Sequence, residues 1–114
     1  MPARRWRDYE TAAGRRPVKE FIGSLRDEEA AEVVAAMREV REEGLVAARK
    51  LRGDIWEVRA DGNRVIHRVL FAPEGRRGLV LLALAAFTKK TPKTPPDLIA
   101  LAEQRLTDWR SRGR

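Results

Sequence analysis

The residues best suited to chemistry are cations gathered in one part of the chain. Between Gly44 and Pro96 lie Arg49, Lys50, Arg52, Arg59, Arg64, Arg68, Arg76, Arg77, Lys89, Lys90 and Lys93, against only Asp54, Glu57, Asp61 and Glu74, a net charge of +7. The whole 114-residue chain also carries +7, because residues 1–43 balance to −1 and residues 97–114 to +1. Arginine grips phosphate through a planar fork, and lysine meets it as a mobile point charge. A segment with this composition suits a nucleic-acid backbone, or any polyanion, and can stabilise charge that builds on phosphoryl oxygens.

Three groups stand out within the segment. Arg59, Arg64 and Arg68 alternate along two neighbouring strand-like runs, with Glu57 among them. Like charges set opposite one another destabilise a sheet, and a bound anion would relieve them. The alternative is a solvated outer face with Glu57 as ion-pair partner. The second group is Arg49-Lys50-Leu51-Arg52-Gly53, and the third is Lys89, Lys90 and Lys93. Phe87 stands just before the lysines and offers either a ring for base stacking or the last core contact of its strand. His67, the only histidine, falls on the same strand face as Trp56 and reads as a core or rim residue. Tyr9, the only tyrosine, reads as structural.

Several chemistries are excluded. With no cysteine there is neither a disulfide framework nor a thiolate zinc site. The chain has no Cys–His pair, no second histidine, no paired-carboxylate spacing and no glycine-rich phosphate loop, so neither metal nor cofactor is expected. The longest apolar run, Leu79 to Phe87, falls short of the roughly 18–20 residues of a membrane helix. The N-terminus lacks an apolar signal core, and a soluble cytoplasmic protein is expected.

These cations need elements to hold them. Residues 6–11 read as a short edge strand. Pro17 opens a helix over 17–25, with Val18, Phe21, Ile22 and Leu25 on one face. Asp27 is placed to cap a second helix that ends at Gly44. Residues 54–60 and 63–71 alternate with period two around Asp61-Gly62, which predicts a two-residue hairpin turn. That register sets Arg59 opposite Arg64, Glu57 opposite Ile66, Ile55 opposite Arg68 and Trp56 opposite His67. Trp56, Val58, Val65, His67, Val69 and Phe71 then form the core face. Residues 79–87 are apolar on both faces, as a central strand would be. Thr94-Pro95-Pro96-Asp97 fits a capping box for a last helix over 95–111, and the terminal Arg110–Arg114 are expected to fray. The result is a single α+β domain over residues 1–114, in the order β-α-α-β-β-β-α: a small, twisted, mainly antiparallel sheet packed on N-terminal helices, with a C-terminal helix.

The same stretches carry a family resemblance. Lys50-Leu51-Arg52-Gly53-Asp54-Ile55-Trp56-Glu57-Val58-Arg59 and Arg68-Val69-Leu70-Phe71 resemble strand segments of RelE/ParE-superfamily toxins. Leu84-Ala85-Ala86-Phe87-Thr88-Lys89-Lys90-Thr91-Pro92-Lys93-Thr94-Pro95 resembles the L-x-x-F-x-K-K-T-x-K-T-P signature of the HigB-like, phage-protein-related branch, and Pro17–Leu25 resembles its first helix. The resemblance implies a type II toxin–antitoxin toxin that cleaves mRNA on the ribosome, or a ParE-like inhibitor of DNA gyrase; a non-toxic nucleic-acid-binding adaptor is the plainer alternative. It also implies a helix-turn-helix antitoxin as partner. By position, Lys50, Arg59, Arg68 and Lys90 would be catalytic, and Arg52, Arg64, Phe87, Lys89 and Lys93 would bind substrate. The family's C-terminal tyrosine has no counterpart in Arg110–Arg114, which leaves Lys50, Lys90 and Glu57 as candidates for the base.

Overall fold

The computed structural model describes residues 3–61, 65–89 and 93–113. Along the chain these form β1 (Arg5–Asp8), α1 (Pro17–Ser24), α2 (Asp27–Glu43), β2 (Arg49–Arg52), β3 (Ile55–Asp61), β4 (Ile66–Glu74), β5 (Val80–Lys89) and α3 (Pro96–Ser111). The strands make one sheet in the order β1-β5-β4-β3-β2, with β1 parallel to β5 and every other pair antiparallel. This is the expected α+β architecture with one strand more. Arg49–Arg52, expected only as a basic group ahead of the hairpin, pairs with β3 as an edge strand. Its exposed cations are what an open edge tolerates. The interior of the sheet belongs to β4, with β5 between it and β1.

The β3–β4 register differs from the one Asp61-Gly62 predicts. Arg59 faces Arg68, Glu57 faces Leu70, Trp56 faces Phe71 and Ala60 faces His67, so the connection runs over residues 62–65. The predicted Arg59–Arg64 pairing falls on Arg64, outside the described residues. Burial outweighs turn propensity here, because this register sets Val58 against Val69 and Trp56 against Phe71. The slip leaves each residue on its predicted face.

Both faces of the sheet are buried. On one, α1 and α2 bring Val18, Val33, Met37 and Val40 against Val58, Val69, Phe71 and Leu81. On the other, α3 brings Ala102, Leu106 and Trp109 against Ile55, Leu70, Leu82 and Leu84. The second layer corrects the expectation of a solvated or anion-binding outer face, since most of that face is core.

The helix ends also depart from expectation. Asp27 is the first residue of α2 rather than its cap, and with Glu28 and Glu29 it sits where the helix dipole favours negative charge. Pro95, not Thr94, precedes α3, and Thr94 makes no capping bond. Gly44 ends α2 at φ 85, and Arg4 passes so close that a Cβ there would lie 2.6 Å from Nη2. As far as Arg112 the C-terminal segment is tied down rather than frayed, and Arg114 lies outside the described residues. Arg110 pairs with Glu74 at 2.7 Å and Asp54 at 3.0 Å, and Arg112 pairs with Asp108.

A β-bulge interrupts β5. Leu70 pairs with Ala85 but Phe71 with Ala83, leaving Leu84 as the extra residue. Arg105 of α3 donates from Nη1 to the Leu84 carbonyl at 2.7 Å. Its guanidinium and that of Arg112 lie 5.7 and 5.5 Å from the Tyr9 ring centre. The Tyr9 hydroxyl donates to Asp108 Oδ2 at 2.6 Å, so the lone tyrosine pins the end of β1 to α3, the structural role expected of it.

Two outcomes follow. Trp109→Ala should cost about 3–5 kcal/mol in urea unfolding, as for other large core aromatics. The hydrogen bond to Asp108, helped by burial, raises the Tyr9 pKa above its ordinary value. The neutral phenol therefore stabilises the fold below pH of about 10, and that contribution is lost as pH rises through the folded value. Tyrosinate absorbance reports Tyr9 alone, and it should titrate at higher pH in the folded chain than in denaturant.

Candidate nucleic-acid interface

At one end of the α3-side face, where β3 stops and β4 starts, two charged side chains lie in the core. Arg68 is 0% exposed and Glu57 is 1% exposed. Arg68 Nη1 donates to Glu57 Oε2 at 3.2 Å and to Thr94 Oγ1 at 2.8 Å. The Thr94 hydroxyl donates to the same Glu57 oxygen. Thr94, itself 4% exposed, thereby ties the chain just before α3 to the middle of the sheet. Glu57 Oε1 accepts no hydrogen bond among the described residues, and Arg49 Nη2 of β2 lies 3.7 Å from it.

Alternation decides what surrounds this pair. Arg49 faces Glu57 across β2–β3, Arg59 faces Arg68, Phe87 faces Arg68 from β5, and Lys89 faces Ile66. All therefore project on the α3 side. The Arg59 side chain is 41% exposed, with Asp61 at 3.6 Å, and Lys93 is exposed on the segment that carries Thr94. Phe87 is half-buried and packs on the α3-side core, so its ring is not a free platform. The chemistry available is that of clustered cations over a buried, fixed ion pair: binding an anion and stabilising charge on it.

The residues predicted to act together are only partly gathered. Arg59, Arg68, Phe87 and Lys89 share the face, and Lys93 lies beside it. Arg68 corrects an expectation, because Glu57 and Thr94 hold it inside the protein instead of presenting it to solvent. Lys50 faces Trp56, on the α1–α2 side of β2, away from Arg59 and Arg68. Arg52 is on the α3 side but is held by Glu103 at 2.7 Å. Arg64 and Lys90 lie outside the described residues. His67 is a core residue as expected, 1% exposed, with Nδ1 2.8 Å from Thr88 Oγ1 and Nε2 2.7 Å from Glu29 Oε1. Sequence reasoning read Thr94 as a helix cap and placed Arg49 in a basic group without giving it a site role. The available signal was Glu57, an acid on a strand face among cations, which needs buried partners if that face is covered.

Removing one member of a buried pair strands the other, at a cost of about 3–5 kcal/mol. Arg68→Ala should lose that much stability in urea unfolding, and Glu57→Leu combined with Arg68→Met should recover most of it. Arg59→Ala should stay within about 0.5 kcal/mol of the parent.

A family model described as Phage derived protein Gp49-like (DUF891) matches residues 20–107, from within α1 into α3 and across the whole cation cluster. A comparison with curated proteins gives no match.

Proposed function

The chain belongs to the Gp49-like family of phage-derived proteins, a RelE/ParE-like toxin family, and from that premise we propose a toxin that cleaves mRNA on the ribosome. The family points to the toxin of a toxin–antitoxin pair, with an antitoxin as partner. The observation that carries the finer reading is the set of cations, Arg49, Arg59 and Lys89 with Lys93 beside them, around the buried Glu57–Arg68–Thr94 unit. A phosphodiester laid on this face meets guanidinium forks and ammonium charges held by strands.

In the proposed reaction the ribose 2′-oxygen attacks the adjacent phosphorus, its proton passes to a base, and the P–O5′ bond breaks. The 5′-oxygen takes up a proton, leaving a 2′,3′-cyclic phosphate and a 5′-hydroxyl. Arg59 and Arg49 are placed to stabilise the phosphoryl oxygens as charge builds. Arg68 is a positioning residue, which through Thr94 holds the start of α3 and the segment bearing Lys93. Glu57 Oε1 accepts no hydrogen bond among the described residues, and it becomes a base only if Arg49 swings aside to admit substrate. No helix among the described residues is long and apolar enough to cross a membrane, and the reading needs none.

A second reading, a gyrase inhibitor that binds without cleaving, draws on one observation. Glu57 is buried, and the exposed strand residues on its face are cations apart from Asp61. Expression of the chain in growing cells separates the two. The RNase reading predicts new mRNA ends with 5′-hydroxyls, and cleavage reduced about 10²-fold in Arg59→Ala, the scale for losing one transition-state charge contact. Growth arrest with intact mRNA and lost supercoiling would transfer the proposal to gyrase.

A further inference from the structure

One buried group has no part in the cation face. His67 lies on the α1–α2 side of β4, with Ala60 opposite it in β3 and Thr88 opposite it in β5. The Phe21 ring of α1 stands at 68° to the imidazole, the ring centres 5.9 Å apart. Both ring nitrogens are engaged, Nε2 2.7 Å from Glu29 Oε1 and Nδ1 2.8 Å from Thr88 Oγ1. An ionised carboxylate can only accept, so Nε2 carries the ring hydrogen. In the neutral ring Nδ1 then holds a lone pair, and the Thr88 hydroxyl donates to it. The imidazole is buried, whereas Thr88 is exposed near the end of β5. Solvent thus meets a hydroxyl backed by a base, and the base is backed by a carboxylate. That is the order of nucleophile, base and orienting acid in an activated hydroxyl, which is recognised by roles and geometry, here with the two ring nitrogens exchanged. No other described hydroxyl has this backing. Ser24, Thr107 and Ser111 donate to main-chain carbonyls, which take no proton away. Thr94 donates to the buried Glu57, and Thr11 accepts from the Arg15 N–H.

We propose that Thr88 is an activated hydroxyl that accepts an acyl group from a thioester, with His67 as the base and Glu29 as the residue that positions it. Charge selects the class of electrophile. The first turn of α2 brings Asp27, Glu28 and Glu29 to this side, which disfavours an anionic phosphoryl donor and leaves a neutral carbonyl carbon. In the step, Thr88 Oγ bonds to the acyl carbon as its proton passes to His67 Nδ1. The C–S bond breaks, and the thiolate leaves with the electron pair and takes that proton. The products are an ester at Thr88 and a free thiol, with no change of oxidation state. While the proton is on the ring, Glu29 stabilises the imidazolium. The ester stands one residue before Lys89, at the border of the cation face. This acceptor site is independent of the toxin reading, since none of its three residues is assigned to RNA.

The test treats the full chain with the acetyl thioester of N-acetylcysteamine and maps acetylated peptides by mass spectrometry over time. Hydroxylamine separates the products, because it removes an ester from Thr88 and leaves an amide on lysine. Thr88 should acetylate at least about 100-fold faster than Ser24, Thr107 or Ser111, the scale of a positioned base. Thr88→Ser should keep labelling at this position, and Thr88→Val should lose it. His67→Gln should slow labelling about 100-fold. Glu29→Gln should slow it by a similar factor while the chain stays folded, because an amide N–H can donate to Nε2 and move the ring hydrogen to Nδ1, where the ring no longer takes the Thr88 proton. Nitrogen NMR reads that exchange directly, since His67 is the only histidine: the hydrogen should be on Nε2 in the parent and on Nδ1 in Glu29→Gln. Should His67→Gln fail to fold, Thr88→Val, Glu29→Gln and the tautomer still decide. Acetylation confined to lysines, a Thr88 rate equal to that of the other hydroxyls, labelling that ignores Glu29→Gln, or a parent ring with its hydrogen on Nδ1 each overturns the proposal.

Discussion

One buried ion pair fixes the geometry of everything near the cation face. Glu57 and Arg68 sit on adjacent strands with almost no contact with water. Neither charge is tolerable there alone, since the desolvation of each is offset only by the other and by directed hydrogen bonds. Thr94 completes the arrangement by accepting from Arg68 while donating to Glu57. The loop that enters α3 is thus held to the sheet by a polar contact that has one satisfactory geometry. Apolar packing alone would hold the same loop with less angular precision, because dispersion contacts are non-directional.

The same pair explains what was and was not legible in the sequence. Element types were readable wherever period and punctuation agreed: Pro17 at the start of α1, Gly44 at the end of α2, and the alternation of residues 55–60. The faces of β3 and β4 were readable too, and they withstood an incorrect register because the slip preserved parity. Burial of the Arg68 face was not readable. Charged residues on a strand read as solvated, and only the return of α3 over that face, with Trp109 and Leu106 beneath it, reveals otherwise. Thr94 misled for a related reason. Ser and Thr before a proline-started helix usually cap it, but the competing demand from a buried carboxylate is a long-range fact absent from any local window. β2 was hidden because an edge strand needs no apolar alternation.

The two sides of the molecule divide its surface chemistry. The α3 side presents cations around a rigid polar pair. The β1 end presents an apolar groove rimmed by further cations, including Lys19 and Arg38 of the near-neutral N-terminal part. The net charge of +7 therefore does not mark one patch. Residues 44–96 carry the excess, but the fold also lifts basic side chains of the helical hairpin to a second location by burying or pairing their acidic neighbours, as Glu29 pairs with His67 and Asp8 with Arg16.

The bulge at Leu84 has a consequence for this division. Before it, even-numbered residues of β5 point toward α3, as Leu82 does, and odd-numbered ones toward α1 and α2, as Leu81 and Ala83 do. After it the phase is inverted: Ala85, Phe87 and Lys89 turn to the α3 side, and Thr88 turns to His67. One inserted residue, its carbonyl held by Arg105, is thus a half-turn in the strand's screw. Without it Lys89 would emerge among α1 and α2, Thr88 would face Ile66, and His67 would lie opposite Phe87 instead of a hydroxyl. Which side of the sheet Phe87 and Lys89 join is thus set by one irregular backbone position, at Leu84.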